Sequence, residues 1–345
     1  MINILKKIYS KISFLIKEAC RSILKLINIV LSSIGLRIQY QREIDFNDRQ
    51  SRALASFYTA VKNDNRQLIS GVSCIIFSMD RAIQLHALIG SLFDKLSTPI
   101  ETYIMYRSTS PEHEKAYREV IELYENLPIH FIKQIDKPAF APQLKKLLGE
   151  ITTNKLFFLV DDILITENVN VDDLLKIECQ KYVLSLRLGK HLTTCYTMQK
   201  PQRLPVFISS PDNQTDKLCW NWSDGQYDWG CALSVDGHLF LTKEVLAMTE
   251  NISFSAPNTF EGNLQIFKPI FDMRLGLAYG KSRLFNIPCN KVQNEITNFH
   301  GNFHQDDLLK KWNDGYQIDY RKLYGFKNNG VHQEVTYDFI KRNDR

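Results

Sequence analysis

Two adjacent carboxylates close the apolar run Phe157-Phe158-Leu159-Val160-Asp161-Asp162. Acids at the end of a buried strand repel each other and are costly to desolvate, so a cation is their natural partner. Hard oxygen ligands on few side chains suit Mg²⁺ or Mn²⁺, with phosphate oxygens and water completing an octahedron. A solvated turn carrying two acids is the plainer reading of the same residues. Two other apolar runs end in comparable groups, Ser78-Met79-Asp80-Arg81 and Tyr106-Arg107-Ser108.

The elements that must position these groups follow from hydrophobic periodicity. Val72–Ser78 is a continuous β-rich run, as expected of a strand buried on both faces. Ala82–Phe93 places Leu85, Leu88, Ile89, Leu92 and Phe93 on one helical face. Strand patterns then recur at Glu101–Arg107, Ile129–Gln134 and Lys155–Val160, with helical patterns at Pro111–Asn126 and Ala141–Ile151 between them. Four strands alternating with helices predict an α/β fold with a parallel sheet and right-handed crossovers. Ligands of such sheets bind beyond the carboxyl ends of the strands, where the polar groups above gather. Beyond Asp172 the pattern loosens: Lys181–Leu188 reads as a strand, Thr242–Thr249 as a helix, and residues 43 to 70 as a connecting helix. No Pro/Gly/Ser linker divides the body, so residues 43 to 345 are expected to form one domain.

Composition narrows the function classes. In 345 residues, 44% of them hydrophobic, there is material for a substantial core, and 15 glycines and 11 prolines exclude a fibrous protein. Seven cysteines without a CxxC pair argue against a disulfide scaffold or structural zinc and for a reducing compartment. The net charge of +5 is unevenly spread: residues 1 to 42 carry +7 and the remainder −2, so no broad nucleic-acid face is expected. That basic segment repeats Ile4, Ile8, Ile12, Leu15, Ala19, Ile23, Leu26 and Val30 at helical spacing, bordered by Lys7, Lys11, Lys17, Arg21 and Lys25. Its longest charge-free run, Leu26 to Leu36, is 11 residues, whereas a spanning helix needs about 20. The pattern predicts an amphipathic helix lying on an anionic membrane surface, the alternatives being packing on the body or pairing of two subunits.

A strand ending in Ser78-Met79-Asp80-Arg81, further β/α units, and an apolar strand running into Asp161-Asp162 together resemble the nucleotide-sugar half of a GT-A glycosyltransferase, of the family 2-like bacterial surface-polysaccharide type. The resemblance spans roughly residues 70 to 310, about 70 to 190 being the nucleotide-sugar half and 191 to 310 the acceptor half. Residues 311 to 345 would then be a C-terminal extension. It implies a GT-A fold, a mixed but mainly parallel sheet flanked by helices. It also implies a DxD-type motif on Val160-Asp161-Asp162, with Asp162 as ligand of Mn²⁺ or Mg²⁺, Asp161 beside it, and the first acid replaced by valine. His300 or His304 in NFHGNFH would complete the metal shell. Asp228-Trp229-Gly230 matches the acceptor-side loop, and Glu261 in Phe260-Glu261-Gly262 matches part of an acidic element at a helix start.

The implied activity is hexosyl or related transfer from a nucleotide-sugar, most simply a UDP-sugar, to a lipid-linked or surface-glycan acceptor. It would take place at the inner face of the cytoplasmic membrane. Sugar transfer passes through an oxocarbenium-like state while negative charge builds on the leaving diphosphate. An inverting reaction needs a base for the acceptor hydroxyl, for which Glu261 and then Asp236 are the candidates. A retaining reaction needs none, and the sequence leaves the two open. Asp80 and Arg81 would hold the nucleotide base and a phosphate, or else form a pair capping the next helix. Arg107, Arg187 and Lys190 are further donor-binding candidates. Trp222 and Trp229, with Asp228 and Gly230, would form an acceptor platform, since aromatic faces stack on sugar C–H faces; burial in the core is the competing reading. Two other classes compete. A nucleotidyl- or phosphotransferase would use the same acids but should show a glycine-rich loop after the first strand, which SMDR lacks. A non-catalytic membrane-associated scaffold would have kept only the fold.

Overall fold

The structure is a computed structural model and describes residues 19–20, 22–34, 41–135, 140–210, 216–288 and 305–342. Two compact units divide at Arg52/Ala53. In the first, residues 22 to 32 are helical and expose Ile23, Leu26, Ile29 and Val30. Helix α1 (Gln41–Asn63) runs across the division. Among the described residues no helix is long and apolar enough to cross a membrane.

The second unit opens with β1 (Ile69–Met79), α2 (Ala82–Lys95), β2 (Thr102–Arg107), α3 (Pro111–Leu123), β3 (Ile129–Lys133), α4 (Phe140–Glu150) and β4 (Thr153–Val160). These are the elements that periodicity predicts, with ends shifted by a few residues. After them come β5 (Ile163–Ile165), α5 (Val171–Lys176), β6 (Tyr182–Ser185), the short pair β7 (Thr194–Cys195) and β8 (Lys200–Pro201), β9 (Lys217–Asn221) and β10 (Leu239–Leu241). The chain closes through α6 (Thr242–Glu250), α7 (Pro257–Leu264), α8 (Lys268–Phe271), β11 (Leu275–Tyr279), β12 (Leu284–Asn286), α9 (Gln305–Asn313), β13 (Tyr316–Ile318) and β14 (Phe339–Lys341).

The central sheet has the order β10-β4-β1-β2-β3, parallel throughout except for β10, which runs antiparallel to β4. From β1 the chain winds outward through β2 and β3, then returns to place β4 on the other side of β1. The strand order therefore reverses between β1 and β4, and a crevice opens at such a switch point. β1 is buried on both faces. Cys74 and Ile76 join the core beneath α2 and α3, while Ile75 and Phe77 join a second core with α4 and the tryptophans. A smaller sheet, β6-β11-β9, and the antiparallel pair β5/β12 extend the unit beyond β4.

Two buried charges tie these layers together. The Lys155 ammonium on β4 donates to the carbonyls of Leu174 (3.1 Å) and Ile177 (2.7 Å), which satisfies the end of α5. The Arg274 guanidinium, just before β11, forms a two-armed pair with Glu244 of α6 at 2.8 and 2.9 Å and also donates to the Cys179 carbonyl at 2.7 Å. The six cysteines among the described residues are unpaired.

The tryptophans correct an expectation. Trp220, Trp222 and Trp229 pack edge-to-face, with centroids 4.8 and 5.1 Å apart, and all are at most 1% exposed. The Trp229 indole N–H donates to the Leu192 carbonyl and that of Trp220 to the Trp229 carbonyl. Trp222 and Trp229 therefore belong to the core and present no flat face to a sugar. Each buries on the order of 200 Å², which outweighs a surface contact.

Candidate active site

The switch point brings the ends of β1 and β4 together. The Asp161 amide donates to the Phe77 carbonyl, continuing the β1/β4 ladder one residue past the strand. Each of its carboxylate oxygens then accepts one bond from the protein. Oδ2 accepts from the Met79 amide at 3.0 Å and Oδ1 from Arg81 Nη1 at 2.9 Å. The same Arg81 nitrogen lies 3.4 Å from Asp162 Oδ2. The Tyr117 hydroxyl, 2.6 Å from Ser78 Oγ, accepts from the Arg81 amide and supports this turn from α3.

Asp80 does not pair with Arg81 and does not cap α2. Its backbone is left-handed (φ +53°), and its carboxylate accepts from the Thr109 amide (2.8 Å) and hydroxyl (2.6 Å). The side chain is a strap between the β1 and β2 loops. A non-glycine residue held at positive φ costs roughly 1 kcal/mol or more, and such strain concentrates at functional loops. Arg107 ends β2 half-buried, its carbonyl accepting from the Asp80 amide.

Asp162 is less firmly held than its neighbour. Among the described residues its oxygens have only long contacts, 3.4 Å to Arg81 and 3.3 Å from the Asn286 amide on β12. Burial pushes its carboxyl up to about 7; Arg81 opposes this, while Asp161 and Asp236 add to it. Asp161 and Asp162, expected to act as a pair, are thus unequal: the first is locked into the fold, and the second has uncommitted lone pairs. Among the described residues no three His, Cys, Asp or Glu side chains converge as a metal cage. His300 and His304 lie outside the described residues.

A second ionisable group lies beside Asp162. Arg187, following β6, donates to Asp236 Oδ2 at 3.1 Å, and both are buried. Glu261 on α7 accepts from Ser234 Oγ (2.8 Å) and the Val235 amide (3.2 Å), both on Oε1. Burial pushes the Glu261 carboxyl up, the Asp236 charge adds to this, and Arg187 opposes it. Asp236 is likewise raised by burial and opposed by Arg187. Asp228 is clamped by Gln202, which donates to its carboxylate (3.1 Å) and accepts from its amide (3.2 Å). Gly230 gives its carbonyl to the Lys268 ammonium (3.0 Å), and a Cβ on it would meet the Gly225 carbonyl oxygen at 2.8 Å. Lys190 is exposed on a turn, 6.0 Å above the Phe207 ring.

Four residues of this region escape a sequence reading: Thr109, Tyr117, Asn286 and His332. Asn286 closes the run Leu284-Phe285-Asn286, and only the pairing of β12 with β5 carries it to Asp162. His332 arrives through a parallel bridge to Asn286 from the C-terminal segment.

No protein-family profile and no curated protein sequence matches the chain. Solved structures do. Residues 1–349 of S. aureus TarS in complex with UDP-GlcNAc match 65% of this chain at 14% identity and a TM-score of 0.39. GalNAc-T7 with UDP, GalNAc and Mn²⁺ matches 67% at 12% identity and 0.40. The chain is similar to GT-A glycosyltransferases. It is also similar to the 4-diphosphocytidyl-2C-methyl-D-erythritol synthase of Anaerococcus prevotii, over 63% of this chain and 90% of that one, at 12% identity and 0.35. The matched part spans about 60% of the TarS structure and 48% of the GalNAc-T7 structure. At these identities and scores the likeness is a partial one of backbone architecture.

Proposed function

We propose that the chain is a glycosyltransferase that moves a sugar from a nucleotide-sugar donor to a lipid-linked or surface-glycan acceptor. The observation that supports it is a division of labour at the β1/β4 switch point. A cation-seeking carboxylate, Asp162, stands beside a separate group, buried Asp236 and half-buried Glu261, that can handle a proton. The leaving diphosphate needs positive charge and the acceptor hydroxyl needs a base; the two clusters answer to these needs in turn. The SMDR loop has no glycine to cradle a triphosphate, which sets this reading ahead of nucleotidyl transfer. The test is incubation with a panel of nucleotide sugars and Mn²⁺, with and without chelator. Sugar loss that needs metal supports the proposal, pyrophosphate release indicates nucleotidyl transfer, and absence of both turnover and nucleotide binding indicates a scaffold.

The residues fit a divalent cation in part. Among the described residues the Asp162 oxygens make only long contacts and are the freer to meet Mn²⁺ or Mg²⁺, whereas each Asp161 oxygen already accepts a shorter bond from the protein. A metal held by Asp162 and the donor's phosphates would supply Lewis-acid stabilisation of the leaving group. Asp161 then acts through Arg81, holding the guanidinium at the crevice where a diphosphate would lie. Asn286 fixes the Asp162 carboxylate from the opposite side.

For an inverting reaction we assign the base to Glu261, because Asp236 is committed to Arg187. Glu261 Oε2 accepts no bond among the described residues, and its raised pKa brings the carboxylate closer to the working pH. The base works deprotonated, so turnover should rise as pH climbs through a value above the usual 4.5. Glu261→Gln is expected to lower kcat by roughly 10²–10⁴-fold and to abolish that acidic limb, with donor affinity unchanged. A pH-independent loss in the variant with the limb retained would give the base to another group.

The N-terminal unit supports a membrane-facing acceptor, since Ile23, Leu26, Ile29 and Val30 are exposed beside Lys25. Removal of residues 1 to 31 is expected to release the protein from anionic vesicles while donor hydrolysis continues. Undiminished co-sedimentation of the shortened chain would place the anchor elsewhere.

A further inference from the structure

Single exposed apolar side chains are ordinary on a protein surface, whereas a run of them interleaved with charge of one sign marks a contact surface. One such run lies on the second unit, at the β7/β8 hairpin and the chain that follows it. Met198 stands in the turn between the two strands at 47% exposure, beside Gln199 in the left-handed region (φ +51°). Beyond Gln202 the burial alternates. Pro205 and Phe207 turn inward, the latter edge-to-face on Trp229, while Val206 (70% exposed) and Ile208 (39%) turn outward. Lys200 and Arg203 are exposed between these apolar groups, and the exposed Lys190 ammonium stands 6.0 Å from the Phe207 ring. From Cys179 to Pro211 the sequence holds no Asp or Glu.

The run is seated on the rim of the candidate site. The Thr193 and Thr194 amides donate to the Asn329 carbonyl at 2.9 and 3.0 Å, and the Ile208 amide donates to the Cys219 carbonyl on β9 at 2.8 Å. The two acids nearest the run are engaged: Glu334 accepts from the Tyr196 hydroxyl at 2.6 Å, and Asp228 is clamped by Gln202. Gln202 itself is buried between Lys200 and Arg203, and the charge of its partner Asp228 reaches Asp236. The exposed apolar groups thus sit on a hydrogen-bonded backbone tied to the site, not on a frayed loop. A nucleic acid would ask for aromatic faces and more cations, and a sugar for a flat ring; the outward groups here are aliphatic. Aliphatic side chains rising through a cationic collar match the boundary of an anionic bilayer, where acyl chains take the former and phosphates the latter.

We infer that the β7/β8 hairpin and the chain to Ile208 form a lipid-contact surface on the second unit, which sets the rim of the candidate site against an anionic bilayer. The surface is separate from the N-terminal segment. It rests on the transferase reading only for what it would bring to the site, a lipid-borne acceptor. Hydrogen exchange of the full chain tests it, with vesicles of phosphatidylcholine and phosphatidylglycerol against phosphatidylcholine alone. Amides of residues 197–209 are expected to exchange at least about fivefold more slowly on the anionic vesicles only, and added salt should weaken that protection. The paired variants Lys200→Glu with Arg203→Glu, and Met198→Ser with Val206→Ser, should each erase the protection while melting temperature and nucleotide affinity stay within error. Absence of protection in the native chain, or protection kept by either variant, overturns the inference. Protection that needs no vesicle and grows with protein concentration gives the surface to a second copy and overturns it as well. Failure of UDP and GDP to bind counts against the transferase reading alone, since exchange at 197–209 is read without nucleotide.

Discussion

Asp162→Asn is expected to abolish metal-dependent nucleotide-sugar binding and, in chelator at pH 8, to make the protein more stable. Both effects follow from one desolvated carboxylate. In the folded chain its pKa is pushed up to about 7 from an ordinary 3.8, so between those values the native state binds the proton and the unfolded state releases it. Stability contributed by this group is complete below pH 4 and is lost as pH rises through 7. A neutral amide removes the penalty, a gain on the order of 2–4 kcal/mol at pH 8 and close to none at pH 4. Thermal melts of the chelated protein at the two pH values test the sign, and calorimetry with Mn²⁺ and UDP tests the ligand. Unchanged affinity in the variant would remove the metal assignment. Equal melting shifts at both pH values would show that Asp162 is not the desolvated group described.

The second large effect concerns the scaffold. Arg274→Met should destabilise the second unit by about 3–5 kcal/mol, because it leaves the buried Glu244 carboxylate without its counterion. The double variant Glu244→Leu with Arg274→Met should recover most of the loss, since two apolar groups replace a desolvated pair. Urea unfolding of the three proteins measures the coupling. Additive losses would mean that Glu244 and Arg274 act independently, contrary to their two-armed bond. Neither residue belongs to the site, so nucleotide binding should persist wherever the fold does.

The β/α alternation from Val72 to Val160 was legible because a parallel strand buried on both faces must be apolar at every position, as VSCIIFS and KLFFLV are. The same logic placed the polar groups at strand ends, since a carboxylate inside such a strand would have no partner. The partners of those groups were not legible. Arg81 and Asp80 are neighbours in sequence, yet they turn to acids and a threonine on other loops, because the left-handed backbone at Asp80 separates them. Trp222 and Trp229 read as a surface platform since Asn221, Asp224 and Asp228 alternate with them. Edge-to-face packing of three indoles buried them instead. Asn286 was silent because only pairing across more than 100 residues, with Ile163 on β5, brings it to Asp162, and His332 because only its bridge to Asn286 brings it to that strand.

The bridge between Asn286 and the 331–333 backbone has a consequence for biogenesis. Arg81 is made early, whereas the backbone contact that brings His332 to Asn286 forms only after residues 331–333 have been made. The apolar face of α2 is likewise covered late, by Trp312, Ile318 and Tyr320 of the same core. A chain stopped short of residue 312 would therefore lack both the cover of α2 and the segment that carries His332.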